Sequence, residues 1–104
     1  MQRYKIVVFV PETHADVLRT AMAEAGAGKI GNYTHCTFST KGTGRFRPES
    51  GANPELGQVG KVEEVVEERI ETVCLEEVLA DVLKAISEAH PYEEPATDVY
   101  LLYN

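Results

Sequence analysis

The densest concentration of reactive side chains lies between Gly31 and Pro48, in the run GNYTHCTFSTKGTGRFRP. It holds a histidine, a cysteine, three aromatics and three basic residues, with Gly42 and Gly44 two apart. No Asp or Glu occurs between Ala25 and Pro48, where Lys29, Lys41, Arg45 and Arg47 give a local charge of +4 against −7 for the whole chain. A carboxylate-free, glycine-rich, basic segment suits an anion or an acidic partner. Within Lys41-Gly42-Thr43-Gly44-Arg45-Phe46-Arg47, the glycines allow close backbone approach and successive N–H groups can form an anion nest. Arg45 or Arg47 offers a bidentate fork and Lys41 a point charge. The segment lacks GxxxxGK[ST] and no helix follows it, so it is not a P-loop. The alternative reading is a glycine hairpin whose arginines pair with the glutamates of residues 63–71 across a subunit boundary.

Other chemistry-bearing residues are scattered. His35 and Cys36 are adjacent on an expected strand and so point to opposite faces, which bars them from one metal. His35 with His90 and Glu94 is a candidate divalent-metal set; the alternative is a partly buried histidine bonded to backbone. The turn HPYEEP, His90 to Pro95, offers His90, Glu93 and Glu94 as ligands, or else a rigid turn that packs Tyr92 at a contact. His14 is expected in solvent and Cys74 in the core. Ser39, Thr40 and Thr43 lie near His35 with no third orienting group, so no nucleophile–base constellation emerges. The tract EEVVEERIETVCLEE reads as a solvated face.

Bulk properties narrow the classes. A chain of 104 residues, 43% hydrophobic and 26% charged, is expected to be one soluble domain. Its acidity, with a pI near 4.9, argues against nucleic acid and anionic membranes as partners. No apolar run approaches the ~20 residues of a membrane span. Ile6 to Val10 is shorter than a signal-peptide core, so a cytoplasmic location is expected. Two cysteines fit reduced thiols there.

These side chains need elements to position them. Tyr4 to Val10 is a β-branched run stopped by Pro11, hence a buried strand. Thr13 is the expected N-cap of a helix whose apolar face is Val17, Leu18, Ala21, Met22 and Ala25. Tyr33 to Thr40 alternates and reads as the second strand. Lys41 to Gly60, with five glycines and two prolines, reads as a long Gly-rich loop. Lys61 to Val73 reads as a strand with a bulge at Glu63–Glu64. Leu75 to Ala89 carries a continuous apolar stripe and reads as a helix ended by His90-Pro91. Ala96 to Tyr103 is the last strand. The order β-α-β-β-α-β implies an α+β, ferredoxin-like fold, a four-stranded antiparallel sheet with two helices on one face. Apolar positions among Val62, Val65, Tyr100 and Leu102 on the other face imply a homo-oligomer packed through its sheets.

The run from GNYTHC through FSTKGTGRFRP to IETV, followed by AHPYEEPATDVY, resembles the domain inserted in the NGG-interacting-factor (Nif-three-like, YqfO) family of bacterial proteins. That domain is similar in fold to CutA and the PII signalling proteins, and the HPYEEPA turn resembles one in CutA. The resemblance runs from Lys5 to Tyr103 and implies a ferredoxin-like fold and sheet-to-sheet trimers. Larger family members carry a two-metal site in flanking domains. These are not in this sequence, which therefore reads as a stand-alone version of the inserted domain without that hydrolase site. PII-like relatives bind nucleotides or other small anions between subunits, and CutA-like relatives are connected with divalent-metal tolerance. The expectation is a non-enzymatic, oligomeric regulatory module that binds a small anion between subunits through Tyr33, His35, Lys41, Gly42, Gly44, Arg45 and Arg47. The alternatives are a CutA-like divalent-metal binder using His35, His90 and Glu94, and a protein-interaction module with no small ligand.

Overall fold

The structure is a computed structural model that describes residues 2–103. Strand β1 (Arg3–Pro11) carries the β-branched run, and a short 3-10 turn (Glu12–His14) leads into helix α1 (Ala15–Glu24). Strands β2 (Phe38–Phe46) and β3 (Glu63–Leu75) are joined by a long loop, followed by helix α2 (Glu76–Ala89) and strand β4 (Thr97–Leu101). The sheet order is β2-β3-β1-β4, with all neighbours antiparallel. This is the expected α+β, ferredoxin-like arrangement. No helix is long and apolar enough to cross a membrane among the described residues.

Alternation along the strands sorts the two sheet faces. Ile6, Val8 and Val10 of β1 register with Thr72, Ile70 and Glu68 of β3 on the helix side. There Ile6, Val8, Val10 and Ile70 join Leu18 and Met22 of α1 and Val82 and Ile86 of α2 in one core. The opposite face has no helix. It carries an ion chain in which Lys5 and Arg69 both bond Glu71 at 3.3 and 3.2 Å, and the Arg69 guanidinium lies 5.6 Å from the Phe9 ring centre. Tyr100, Val62 and Phe38 are exposed, whereas Val65 and Leu102 are half-buried. β1 and β4 also bring distant parts of the chain together: Tyr4 faces Leu101, and the Leu102 N–H donates to the Arg3 carbonyl at 3.0 Å.

Several local expectations are corrected. The second strand is not Tyr33 to Thr40 but Phe38–Phe46, so Lys41 to Phe46 belong to the sheet and the loop begins at Arg47. Gly42 and Gly44 are therefore extended strand residues outside the set of glycines with positive φ, and they form no anion nest. β3 pairs in unbroken register with β2 from Glu63 to Glu71, so there is no bulge at Glu63–Glu64. Thr13 does not cap α1: its hydroxyl bonds His14 Nδ1 at 2.9 Å. Val17 is 59% exposed, and α1 buries Ala15, Leu18 and Met22 instead. The acidic tract is not wholly solvated, because Glu67 and Glu68 are both buried. Glu68 meets Arg19 of α1 at 2.6 Å, which ties that helix to the sheet.

Candidate functional site

A cleft of about 440 Å³ opens where four pieces of chain converge. Its floor is Phe9 of β1 and Glu67 of β3, both on the sheet face without helices. One wall is the end of β2 and its continuation, Gly44 to Pro48. The other wall is the turn after α2, with Tyr92, Glu93 and Glu94, and the long loop closes the rim through Ala52, Pro54, Glu55 and Leu56. The loop is held in place by the Gly60 N–H on the Pro48 carbonyl at 2.8 Å and the Asn53 N–H on the Glu93 carboxylate at 3.1 Å. Pro48 is buried, which anchors the chain as it leaves β2.

The polar heart of the cleft is built by the HPYEEP turn. The His90 Nε2–H donates to the Phe9 carbonyl at 2.6 Å, and His90 Nδ1 accepts the Tyr92 N–H at 3.1 Å. Because the carbonyl only accepts and the amide only donates, these two bonds require the neutral Nε2–H tautomer. Burial lowers the His90 pKa from its ordinary value, against the opposing pull of the Phe9 carbonyl and Glu67. The geometry aims Tyr92, whose hydroxyl donates to Glu67 Oε2 at 3.0 Å and whose ring meets Phe46 edge-on at 5.5 Å between centres. Burial, then the Glu67 carboxylate, push the Tyr92 phenol well above the usual tyrosine range. Glu67 in turn lies over Gly44. A Cβ at Gly44 would collide with the Glu67 carboxylate, which could keep its present place only over a glycine.

The expected site residues are divided by the structure. Gly44, Arg45 and Arg47 line the cleft. Lys41 and Gly42 line a smaller hollow of about 230 Å³ on the same sheet face, which shares Phe9, Gly44 and Glu67 with the cleft. Tyr33 and His35 line neither. They sit in the loop between α1 and β2, where His35 has a φ of +62° and Tyr33 is exposed. That loop is pinned at Gly28, whose N–H reaches the Val73 carbonyl and whose bare Cα lies against the Cys36 backbone. Each basic side chain of the expected set meets a carboxylate: Lys41 with Glu12 at 3.4 Å, Arg45 with Glu64 at 2.8 Å and Arg47 with Glu49 at 2.9 Å. His35, His90 and Glu94 form no metal site within one chain, since no group of three or more such ligands is assembled among the described residues. His90 has no lone pair left for a metal. Phe9, Glu67 and Phe46 are cleft residues to which sequence reasoning gave no role, and Tyr92, expected to pack at a contact, lines the cleft instead. The signal for Glu67 is its strand parity, opposite Gly42 and two residues from Val65, which faces Gly44.

Similarity to known proteins adds to this geometry. No protein-family model matches the chain. The "GTP cyclohydrolase 1 type 2 homolog" of Halalkalibacterium halodurans is 54% identical over 101 residues, covering 97% of this chain and 27% of that protein. Its namesake in Mycobacterium tuberculosis is 49% identical over 98 residues, covering 94% and 26%. The chain thus spans only about a quarter of the length of the curated relatives it matches. A Bacillus cereus protein related to NIF3 superposes with a TM-score of 0.85 at 51% identity, covering 99% of this chain and 26% of that one. CutA from Archaeoglobus fulgidus superposes with a TM-score of 0.70 at 16% identity, covering 98% of this chain and 85% of that one, a likeness of fold. This chain is similar to one part of the NIF3-related proteins and has the fold of CutA. The ferredoxin-like sheet of this CutA-like domain is the shared frame, and the cleft over Phe9, Glu67 and Tyr92 is built on its open face.

Proposed function

We propose that this CutA-like domain is a non-enzymatic, self-associating binding module that takes a small ligand with an anionic group beside Arg45 and Arg47. The observation that carries this reading is the convergence of Gly44, Arg45 and Arg47 on one wall of a cleft whose floor is held in shape by Tyr92 and Glu67. A hollow of about 440 Å³ is of ligand size. The present partners of the two arginines are solvent-exposed carboxylates. Such pairs contribute only about 0–1 kcal/mol, so an incoming anion displaces them at little cost. Self-association is supported by exposed Phe38 and Tyr100 on the open sheet face and by the outer strands β2 and β4. The trimer implied by the resemblance is the assembly favoured in this reading. A cytoplasmic location is supported by the two free thiols, Cys36 and Cys74.

Calorimetric titration with pyrophosphate, citrate and adenosine monophosphate as anionic probes tests the site. At least one probe should bind, and replacing Arg45 and Arg47 together by alanine should weaken it tenfold or more. Binding that ignores the double replacement refutes the assignment. Native mass spectrometry tests assembly, and a monomer at micromolar concentration would overturn it.

A further inference from the structure

Strand β3 carries several glutamates, and two of the four that are buried or half-buried meet a cation. Glu68 has Arg19, and Glu71 has Lys5 and Arg69. Glu67 differs. It is only 9% exposed, and among the described residues no Lys, Arg or His nitrogen pairs with it. Its donor is a neutral hydroxyl, Tyr92, on Oε2. Its Oε1 lies over the bare Cα of Gly44, at the boundary shared by the cleft and the smaller hollow. An ionised carboxylate has about four acceptor sites, and burying one without a cation is costly. His90 cannot supply the charge, because its two ring nitrogens hold the Phe9 carbonyl and the Tyr92 amide as a neutral imidazole.

The remaining neighbours suit a cation from outside. Phe46 and Tyr92 present aromatic surface to the same space, and Gly44 leaves the room in which Oε1 sits at the edge of the cleft. We infer that Glu67 is the recognition carboxylate of the cleft and that the ligand presents to it a protonated amine, amidine or guanidine. This deepens the proposed function and rests on it: the anionic group meets Arg45 and Arg47 at the rim while the cationic N–H group reaches the floor. The ligand is therefore zwitterionic. A purely structural Glu67, present only to hold Tyr92, gives no preference for a cationic group.

N-α-acetyl-L-arginine and N-α-acetyl-L-citrulline separate these cases. They match in size and carry one carboxylate each, but one ends in a guanidinium and the other in a neutral ureido group. Calorimetry, with amide shifts at Gly44 and Phe46 to locate binding, should show acetylarginine bound at least tenfold tighter than acetylcitrulline. Glu67→Gln should abolish that preference. The glutamine oxygen still accepts from Tyr92, so the melting temperature of the ligand-free variant should not fall. Equal binding of the two probes to the unaltered protein overturns the inference while leaving the cleft reading intact. A preference that survives Glu67→Gln overturns it as well. Failure of both probes to bind the unaltered protein overturns the inference and counts against the cleft reading. The comparison on the unaltered protein stands whether or not the variant folds.

Discussion

Gly42 and Gly44 lie two apart on the same face of β2, yet alanine should act on them with opposite sign. At Gly42 nothing lies within 4 Å of the place an alanine methyl would take, and the strand conformation suits any residue. Gly42→Ala should stabilise by about 0.4–1 kcal/mol through loss of unfolded-chain freedom. At Gly44 the methyl meets the Glu67 carboxylate. The carboxylate ends a flexible side chain, so it swings away rather than forcing the backbone apart, and the Tyr92 hydroxyl loses its acceptor. A hydrogen bond to a charged group contributes about 1.5–3 kcal/mol, and the same entropic gain of about 0.4–1 offsets part of it. Gly44→Ala should therefore cost about 0.5–2.6 kcal/mol, or roughly 2–13 °C in melting temperature for a domain of this size. Calorimetric or circular-dichroism melts at pH 7.5 measure both variants directly. Equal shifts for the two glycines, in either direction, would refute the picture of Glu67 resting on Gly44.

The same linkage predicts that Tyr92→Phe, which keeps the ring but strips the donor, costs about 1–3 kcal/mol. The double variant with Gly44→Ala should cost clearly less than the sum in urea melts, because both changes break one bond. His90 is held neutral with its pKa below the ordinary value near 6.5. Its contribution is intact above the unfolded value and is lost as pH falls through that value toward the folded one, since the unfolded chain then binds the extra proton. Urea midpoints should drop between pH 7.5 and 5.5, and His90→Asn should flatten that drop; an unchanged slope would contradict the assigned tautomer. Arg19→Ala leaves buried Glu68 without its cation and should cost about 1.5–3 kcal/mol by chemical denaturation. Ile86→Ala, at a core position that is 2% exposed, should cost about 2–5 kcal/mol in the same measurement.

The topology is readable in the sequence because β1 and α2 each follow a single rule. A β-branched run stopped by Pro11 and an unbroken stripe from Val78 to Ile86 leave few alternatives. β3 is readable from its valines and isoleucine despite its many glutamates. The sequence misplaces β2 for a physical reason. Tyr33 to Thr40 has the stronger strand propensity, whereas Lys41 to Arg47 has two glycines that suggest a turn. Pairing with β3 decides the matter, and Gly44 is tolerated mid-strand because a neighbouring carboxylate needs its space. The cleft is only half visible for the same reason. The arginines announce themselves by local charge, but Glu67 is one acidic residue in an acidic tract until its strand partners are known. The anion nest fails because it requires turn geometry at two residues that the sheet holds extended.

The hydrogen bond between Leu102 and Arg3 has a topological consequence. A unit whose first and last strands leave side by side presents the rest of a polypeptide with a gap no wider than that across a tight loop. The closure entropy of a connection grows only by about 0.6 kcal/mol per doubling of its length. Such a unit can therefore be carried inside a surface loop of another domain without prying that domain apart. Relatives nearly four times as long share about half of their matched residues with this chain, and such close ends are compatible with carriage inside a longer polypeptide. It also means that a ligand captured in the cleft need not strain such a host, because the cleft lies near Pro11 and Thr97, at the far end of the β1–β4 pair from the Tyr4–Leu101 junction.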